Sequence, residues 1–349
     1  MNWWDLRSEV RSACLVPDVD PGRCIHTHAE VGSCRRCVDA CPAAAWMLDD
    51  EQLAIDASAC DGCGLCVAAC PEGALSHDVA PALRRWGGLT AAFAACERVG
   101  AKAAGATVPC VHAFGLTRLA ALYRDGVRRL LVCVGECEDC PRGAGERLST
   151  RLATLNRVLA QRGLSGMVAR KLTTSQWRRF FTTAAPAVAG PAMSRRHFLR
   201  GALTSVAESG AVKKPLEWQA PGSVLPRAGA GELAFFAPYL DAELCNGCGG
   251  CIRVCPHGAL RLAERGDAYE VHADACTGCG LCADVCDQHA MSVDTCSVVK
   301  CSRVPLQVGR CRACGADFHQ PISASAAARE MHCHVCARTR HHRNLFQVI

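Results

Sequence analysis

The sequence predicts an α+β multidomain protein. Two short cysteine-rich units flank a small α/β unit with a parallel sheet, and a small metal-binding segment follows. Three observations carry this expectation. The string CDGCGLCVAACPEGAL at residues 60–75 returns almost unchanged as CNGCGGCIRVCPHGAL at 245–260. Between the two, strand-like apolar runs alternate with amphipathic helix-like ones, as they do where helices cross over parallel strands. After the second string come two C-x2-C pairs with eighteen residues between them.

Composition sets the energetic terms. The 349 residues leave room for two or three domains, and 28 of them are cysteine, near the roughly 8–10% level at which cysteine dominates the folding argument. Aromatic residues are only 5%, so large core-filling side chains are scarce and another source of folding energy is needed. Repeated two-residue gaps suit a shared metal centre better than disulfides across loops. The N-terminal MNWWDLRSEVRSACLVPDVD has no basic stretch followed by an apolar one, and no run of about 18 apolar residues spans a membrane. The expectation is a soluble, cytoplasmic, reduced protein without a transmembrane segment.

The second cysteine unit, expected over residues 236–300, shows the pattern most clearly. Cys245, Cys248 and Cys251 stand at two-residue gaps, and Cys255 follows three residues on with Pro256 behind it. Gly247, Gly249 and Gly250 permit tight turns in such a loop, and proline ends the short helical turn. Downstream, CTGCGLCADVC supplies Cys276, Cys279, Cys282 and Cys286. This half resembles the bacterial-type two-[4Fe–4S] ferredoxin family across about 50 residues. In that family the fourth cysteine of each motif ligates the other cluster. The resemblance therefore implies one cluster on Cys245, Cys248, Cys251 and Cys286, and another on Cys255, Cys276, Cys279 and Cys282. One departure is Asp287 where proline usually sits.

The first cysteine unit, expected over 14–80, repeats the scheme with an insertion. Cys60, Cys63, Cys66 and Cys70 precede Pro71; upstream, Cys24 is followed after a nine-residue gap by Cys34, then Cys37, Cys41 and Pro42. The same crossed rule gives Cys24, Cys34, Cys37 and Cys70 to one cluster and Cys41, Cys60, Cys63 and Cys66 to the other. Cys14 is an alternative first ligand. Zinc knuckles or disulfides are the competing reading for all sixteen cysteines; two doublets with three Cys-Pro endings weigh against it. Four clusters of charge about −2 each would take the formal +6 to about −2, which weakens a nucleic-acid reading of the basic balance.

Residues 88–170 read as the α/β unit. ATVPCVHAF and VRRLLVCVGE look like strands, GLTRLAALYRDG and RLSTRLATLNRVLAQRG like helices, and MVARKLT like a further strand. The order and the cysteine-bearing loops resemble the iron–sulfur δ-subunit domain of methyl-viologen-reducing hydrogenases. That resemblance implies one [2Fe–2S] centre among Cys96, Cys110, Cys133, Cys137 and Cys140; the plain alternative is that some of these are buried small hydrophobes.

Residues 171–235, rich in Ala, Pro, Gly and Ser, are expected to be a linker with room for one helix. Inside it Ser194, Arg195, Arg196, Phe198 and Leu199 resemble a twin-arginine export motif, placed where an amphipathic basic helix explains them as well. The last segment, 305–340, places Cys311 and Cys314 against Cys333 and Cys336 at zinc-ribbon spacing. One Zn2+ is expected, with a further iron–sulfur centre as the alternative. His332, His334, His341 and His342 are made redundant as ligands by the cysteines, the basic ARTRHHRN reads as solvated surface, and Cys296 and Cys301 stay unassigned.

No catalytic apparatus accompanies these motifs. GAGE at 229–232 lacks the strand and spacing of a dinucleotide site. The function expected is an iron–sulfur electron-transfer subunit with redox partner subunits, in an oxidoreductase complex of the hydrogenase, molybdenum or tungsten dehydrogenase, or heterodisulfide-reductase-like kinds that the resemblances imply. The alternatives are a disulfide or persulfide reductase using a cysteine of the α/β unit, and a redox-responsive nucleic-acid-binding regulator.

Overall fold

The computed structural model describes residues 16–49, 53–77, 79–99, 106–143, 147–187, 218–322 and 331–339. The first unit runs β1 (Asp18–Val19), α1 (Ile25–His28), α2 (Arg36–Ala40), β2 (Trp46–Leu48), β3 (Leu53–Ile55), α3 (Leu65–Ala69) and β4 (Leu75–Ser76). β1 pairs with β4 and β2 with β3, both antiparallel. α2 and α3 each end at a cysteine, Cys41 and Cys70, and Pro42 and Pro71 then block continuation. The apolar core here is small: Trp46, Cys66 and Leu75 are buried together, with the thiols of Cys37, Cys41 and Cys70 packed around them.

The middle unit runs β5 (Ala82–Trp86), β6 (Leu89–Cys96), β7 (Thr107–Val108), α4 (Leu116–Arg124), β8 (Arg129–Cys133), α5 (Arg147–Gln161), β9 (Val168–Leu172), α6 (Thr174–Thr183) and β10 (Ala185–Pro186). Its sheet has the order β10-β5-β6-β8-β9, with β7 beside β6. β6, β8 and β9 are parallel, as is β7 to β6, whereas β5 and β10 join antiparallel. The sheet is thus mixed, because the chain enters it through a hairpin at Gly87–Gly88. Both glycines have positive φ, 59° and 79°, as the tight turn of a twisted two-residue hairpin requires.

Period-2 alternation sorts the sheet's faces. Ala92, Ala94, Leu130 and Val132 face α4 and α5 in one core with Leu119, Leu122, Leu152 and Leu155. Ala91, Phe93, Ala95, Leu131 and Cys133 face the other way, against Trp177 of α6. Much of the stretch expected as linker is therefore structured. Residues 174–183 form α6, opened by a capping box between Thr173 and Gln176, and Leu225 packs into the core of α4 and α5.

The second cysteine unit comprises β11 (Leu233–Leu240), α7 (Gly250–Val254), β12 (Leu260–Leu262), β13 (Ala268–Val271), α8 (Leu281–Asp284) and β14 (Met291–Val298). β11 and β14 pair antiparallel along their lengths. The closing segment adds β15 (Arg303–Arg310), β16 (Asp317–Pro321) and α9 (His334–Thr339). It is continuous with the second unit, because β12, β13, β15 and β16 form one antiparallel sheet.

Candidate metal centres

The sixteen repeated cysteines converge in four groups. Burial raises the Cys37 thiol to about 12, and Cys34, Cys70 and Cys24 add to the rise; these four make site A. Burial likewise raises Cys66 to about 11, with Cys41 and Cys60 adding to it; these three, together with Cys63 of the same loop, which burial beside Asp61 raises to about 12, are called site B. In the second unit, Cys251 is raised to about 12 by burial and then by Cys245, Cys248 and Cys286, the members of site D. Cys276 is raised to about 12 by burial first, with Cys279 and Cys255 contributing. Cys282 is raised by burial and by those three neighbours, which completes site C. In every group the fourth member comes from the motif of the other.

Two of the groups line cavities. One is bounded by Cys255, Cys276, Cys279 and Cys282, together with Pro256, His257 and Leu281. The other is bounded by Cys245, Cys248, Cys251 and Cys286, with Tyr269 and Met291. Thiols that burial pushes upward, as at Cys251, Cys276 and Cys282, are stable as thiolates only around a cationic centre. The walls also supply donors to sulfur. The N–H groups of Ala45, Ala259 and Ala290 point at Cys41, Cys255 and Cys286 at 3.4, 3.2 and 3.3 Å, and those of Gly62 and Gly247 at Cys60 and Cys245 at 3.4 and 3.5 Å.

The turn that aims the first three donors is left-handed three residues after each fourth cysteine. Gly73 and Gly258 occupy it in two motifs, Ala44 (φ 49°) and His289 (φ 51°) in the others. The buried indole N–H of Trp46 faces Cys66 and draws its thiol down against the effect of burial. Donor sets, cavities and N–H groups all fit iron–sulfur clusters held by thiolate.

In the middle unit four of the five expected cysteines gather beside one another. The fifth, Cys133, lies on the far face of the sheet, near enough to Cys96 for that thiol to add to the rise that burial causes. Cys110 is raised to about 11 by burial, with Cys96 and Cys137 adding to the rise. Cys96 is raised by burial and by Cys140. The His112 imidazole accepts at Nδ1 from the Leu148 N–H (3.1 Å), so Nε2 carries the proton it presents to Cys137 Sγ at 3.4 Å. Cys133 is fully buried on the opposite face of the sheet with Phe93 and Trp177; the β8 alternation turns it away from this group. Cys96, Cys110, Cys137 and Cys140 make site M.

At the C-terminal segment the sulfurs of Cys311, Cys314, Cys333 and Cys336 all lie within 4.8 Å of one another, with Cys314 and Cys333 3.9 Å apart. A tetrahedron with metal–sulfur bonds of about 2.3 Å has edges of about 3.8 Å, so the group has the dimensions of a single-ion site. Burial would raise Cys311, but the main-chain N–H groups of Cys314, Cys333 and Ala313 point at it and draw its thiol down.

Several residues around these sites carry no sequence signal. Arg142 is buried and donates to the Asp61 carboxylate (2.6 Å), the Pro109 carbonyl (2.5 Å) and Glu97 (2.7 Å). Glu72, only 3% exposed, accepts from Thr277 and pairs with His257. Cys14, Ser194–Leu199, His341 and His342 lie outside the described residues. Among the described residues no helix is long and apolar enough to cross a membrane.

Residues 32–75 and residues 244–290 each match the 4Fe-4S dicluster domain family. No curated protein matches the chain. Cys24 precedes the first match; the other fifteen repeated cysteines fall inside the two.

Proposed function

We propose, for a chain that carries two 4Fe–4S dicluster ferredoxin domains and is thereby an iron–sulfur electron-transfer protein, that it serves as a subunit relaying electrons through four [4Fe–4S] clusters within a larger oxidoreductase complex. The observation that carries this reading is the pair of cavities in the second unit, each bounded by a crossed set of four cysteines. A bound cluster supplies one-electron chemistry at a potential set by its surroundings.

The chain's own residues do the rest. Sites A to D hold iron through thiolate, and the N–H groups of Ala45, Ala259 and Ala290 stabilise charge on sulfur. The apolar walls exclude water. Site M takes a [2Fe–2S] centre through Cys96, Cys110, Cys137 and Cys140, and Cys311, Cys314, Cys333 and Cys336 take a structural Zn2+. The partners are redox subunits, and thiolate chemistry of this density belongs in the reducing cytoplasm.

Anaerobic assay of iron, acid-labile sulfide and zinc, with EPR of the reduced protein, tests this. Four clusters require about sixteen irons, and site M brings the total to about eighteen, with one zinc per chain. Eight irons or fewer in fully reconstituted protein would remove one doublet.

A further inference from the structure

Polar and apolar contacts join the two dicluster units to each other and to the middle unit, and each contact falls between particular sites. Between A and C the interface is dense. Glu72, two residues after Cys70, accepts from Thr277, which lies between Cys276 and Cys279, and pairs with His257 beside Cys255. Ser33, next to Cys34, donates from N–H and hydroxyl to the Asp284 carboxylate at 2.9 and 2.8 Å. Arg36 donates to the Gly278 carbonyl at 2.5 Å. Trp218 packs tilted against His257 with ring centroids 5.0 Å apart, and covers Gly73 so closely that a Cβ there would lie 2.0 Å from the indole.

Between B and M, Cys63, Leu65 and Cys110 pack in one apolar cluster, and Arg142 ties Asp61 of the B loop to Pro109 and Glu97 of the middle unit. C and D share one core through Cys282 and Cys251. Beyond D, β16 lies against the loop, and a Cβ on Gly247 would meet the His319 carbonyl at 1.9 Å.

We infer that the centres form a single row, M–B–A–C–D, in which A and C make the junction between the two halves and Glu72 acts on both of them. Its carboxylate is a positioning residue: it ligates nothing, and it orients Thr277 and His257 against site C while belonging to the motif that supplies Cys70 to site A. The inference deepens the proposed relay and rests on it. It assigns the two ends of the row to the 135–140 loop and to the 245–248 loop, and it makes A and C indispensable to any communication between halves.

Two full-length variants, reconstituted anaerobically and reduced with dithionite, test the order by EPR. One lacks B and D (Cys60→Ala, Cys63→Ala, Cys245→Ala, Cys248→Ala) and the other lacks A and C (Cys34→Ala, Cys37→Ala, Cys276→Ala, Cys279→Ala). The A–C pair is expected to give a broadened, fast-relaxing, spin-coupled spectrum, and the B–D pair two isolated signals. Coupling in B–D without coupling in A–C would overturn the row. Fewer than about sixteen irons in the fully reconstituted wild-type protein would instead sink the four-cluster reading, and the row with it.

Because ligand variants can lose their fold, Glu72→Gln, which keeps every cysteine, supplies the second arm. Replacing the carboxyl by a neutral amide favours the more negative, reduced state, so of the four [4Fe–4S] midpoint potentials those of A and C should rise while those of B and D stay. With wild-type iron content, a Glu72→Gln protein in which no midpoint moves, or all four move alike, would refute the row and leave the relay standing.

Discussion

The middle unit and the first dicluster unit pack against one another, but different forces hold them. The middle unit buries Phe114, Leu119, Leu130, Leu155, Leu159 and Met167 almost completely, with a second core around Phe93 and Trp177 on the far side of its sheet. The first dicluster unit buries fewer large side chains, Trp46, Leu65 and Leu75 with Ile25, and packs the partly buried Val19, Val38, Leu53, Ile55 and Val67 among its thiols. The second dicluster unit stands between: Leu240, Leu260, Tyr269 and Met291 form a modest core around its cysteines, and Phe235 at its edge is inserted in the core of the middle unit. Apolar burial stabilises by about 25 cal/mol per Å², and metal binding at a site absent from the unfolded chain is itself folding energy. Dependence on metal should therefore fall from the first unit to the second and then to the middle.

Perturbing packing alone should strike the middle unit hardest. Leu155→Ala, at a fully buried position, is expected to destabilise it by about 2–5 kcal/mol in denaturant titration, with cluster content unchanged. Next comes the joint between the regions. Arg142→Met leaves Asp61 and Glu97 without their shared partner; because both carboxylates are partly exposed, the loss should be about 2 kcal/mol. It should appear as melting of the first unit separately from the middle one.

Metal loading should depend on pH in a definite direction. Burial raises Cys37, Cys63 and Cys66 from 9.0 to about 12, 12 and 11, so iron must displace protons from neutral thiols. Apparent affinity should rise with pH through this range, and a pH-stat should record proton release on loading at pH 7–8. A flat profile would show the thiols already ionised. The smallest effect is at His289, whose φ of 51° strains a side chain. His289→Gly should stabilise the iron-loaded second unit by about 1 kcal/mol, read as a small rise in Tm.

The cysteine motifs were legible because ligand spacing is a local property, whereas the crossed grouping comes from the resemblance to two-cluster ferredoxins. The middle sheet was only partly legible. β8, β9, α4 and α5 have clear apolar periodicity, but β6 is the alanine-rich LTAAFAAC, which lacks the β-branched residues that mark a strand. The ATVPCVHAF stretch yields only the short β7 before Pro109 and a 3-10 turn at Val111–Ala113. α6 had a readable signal, the Thr173–Gln176 capping box, hidden in a stretch whose composition suggested a linker. Cys133 could be told from its neighbours only once the β8 alternation was fixed. Glu72 and Arg142 had no signal at all, because their partners Thr277 and Asp61 lie 205 and 81 residues away.

Hydrogen exchange with mass spectrometry, comparing the iron-loaded protein with protein stripped of iron anaerobically, tests most directly whether thiolate–metal bonding rather than packing holds the dicluster units. Residues 16–77 should lose protection almost completely, residues 233–298 should lose it in part with β11 retained, and residues 82–187 should keep the protection of β6, β8 and α5. Protection of residues 16–77 that survives iron removal would contradict the account.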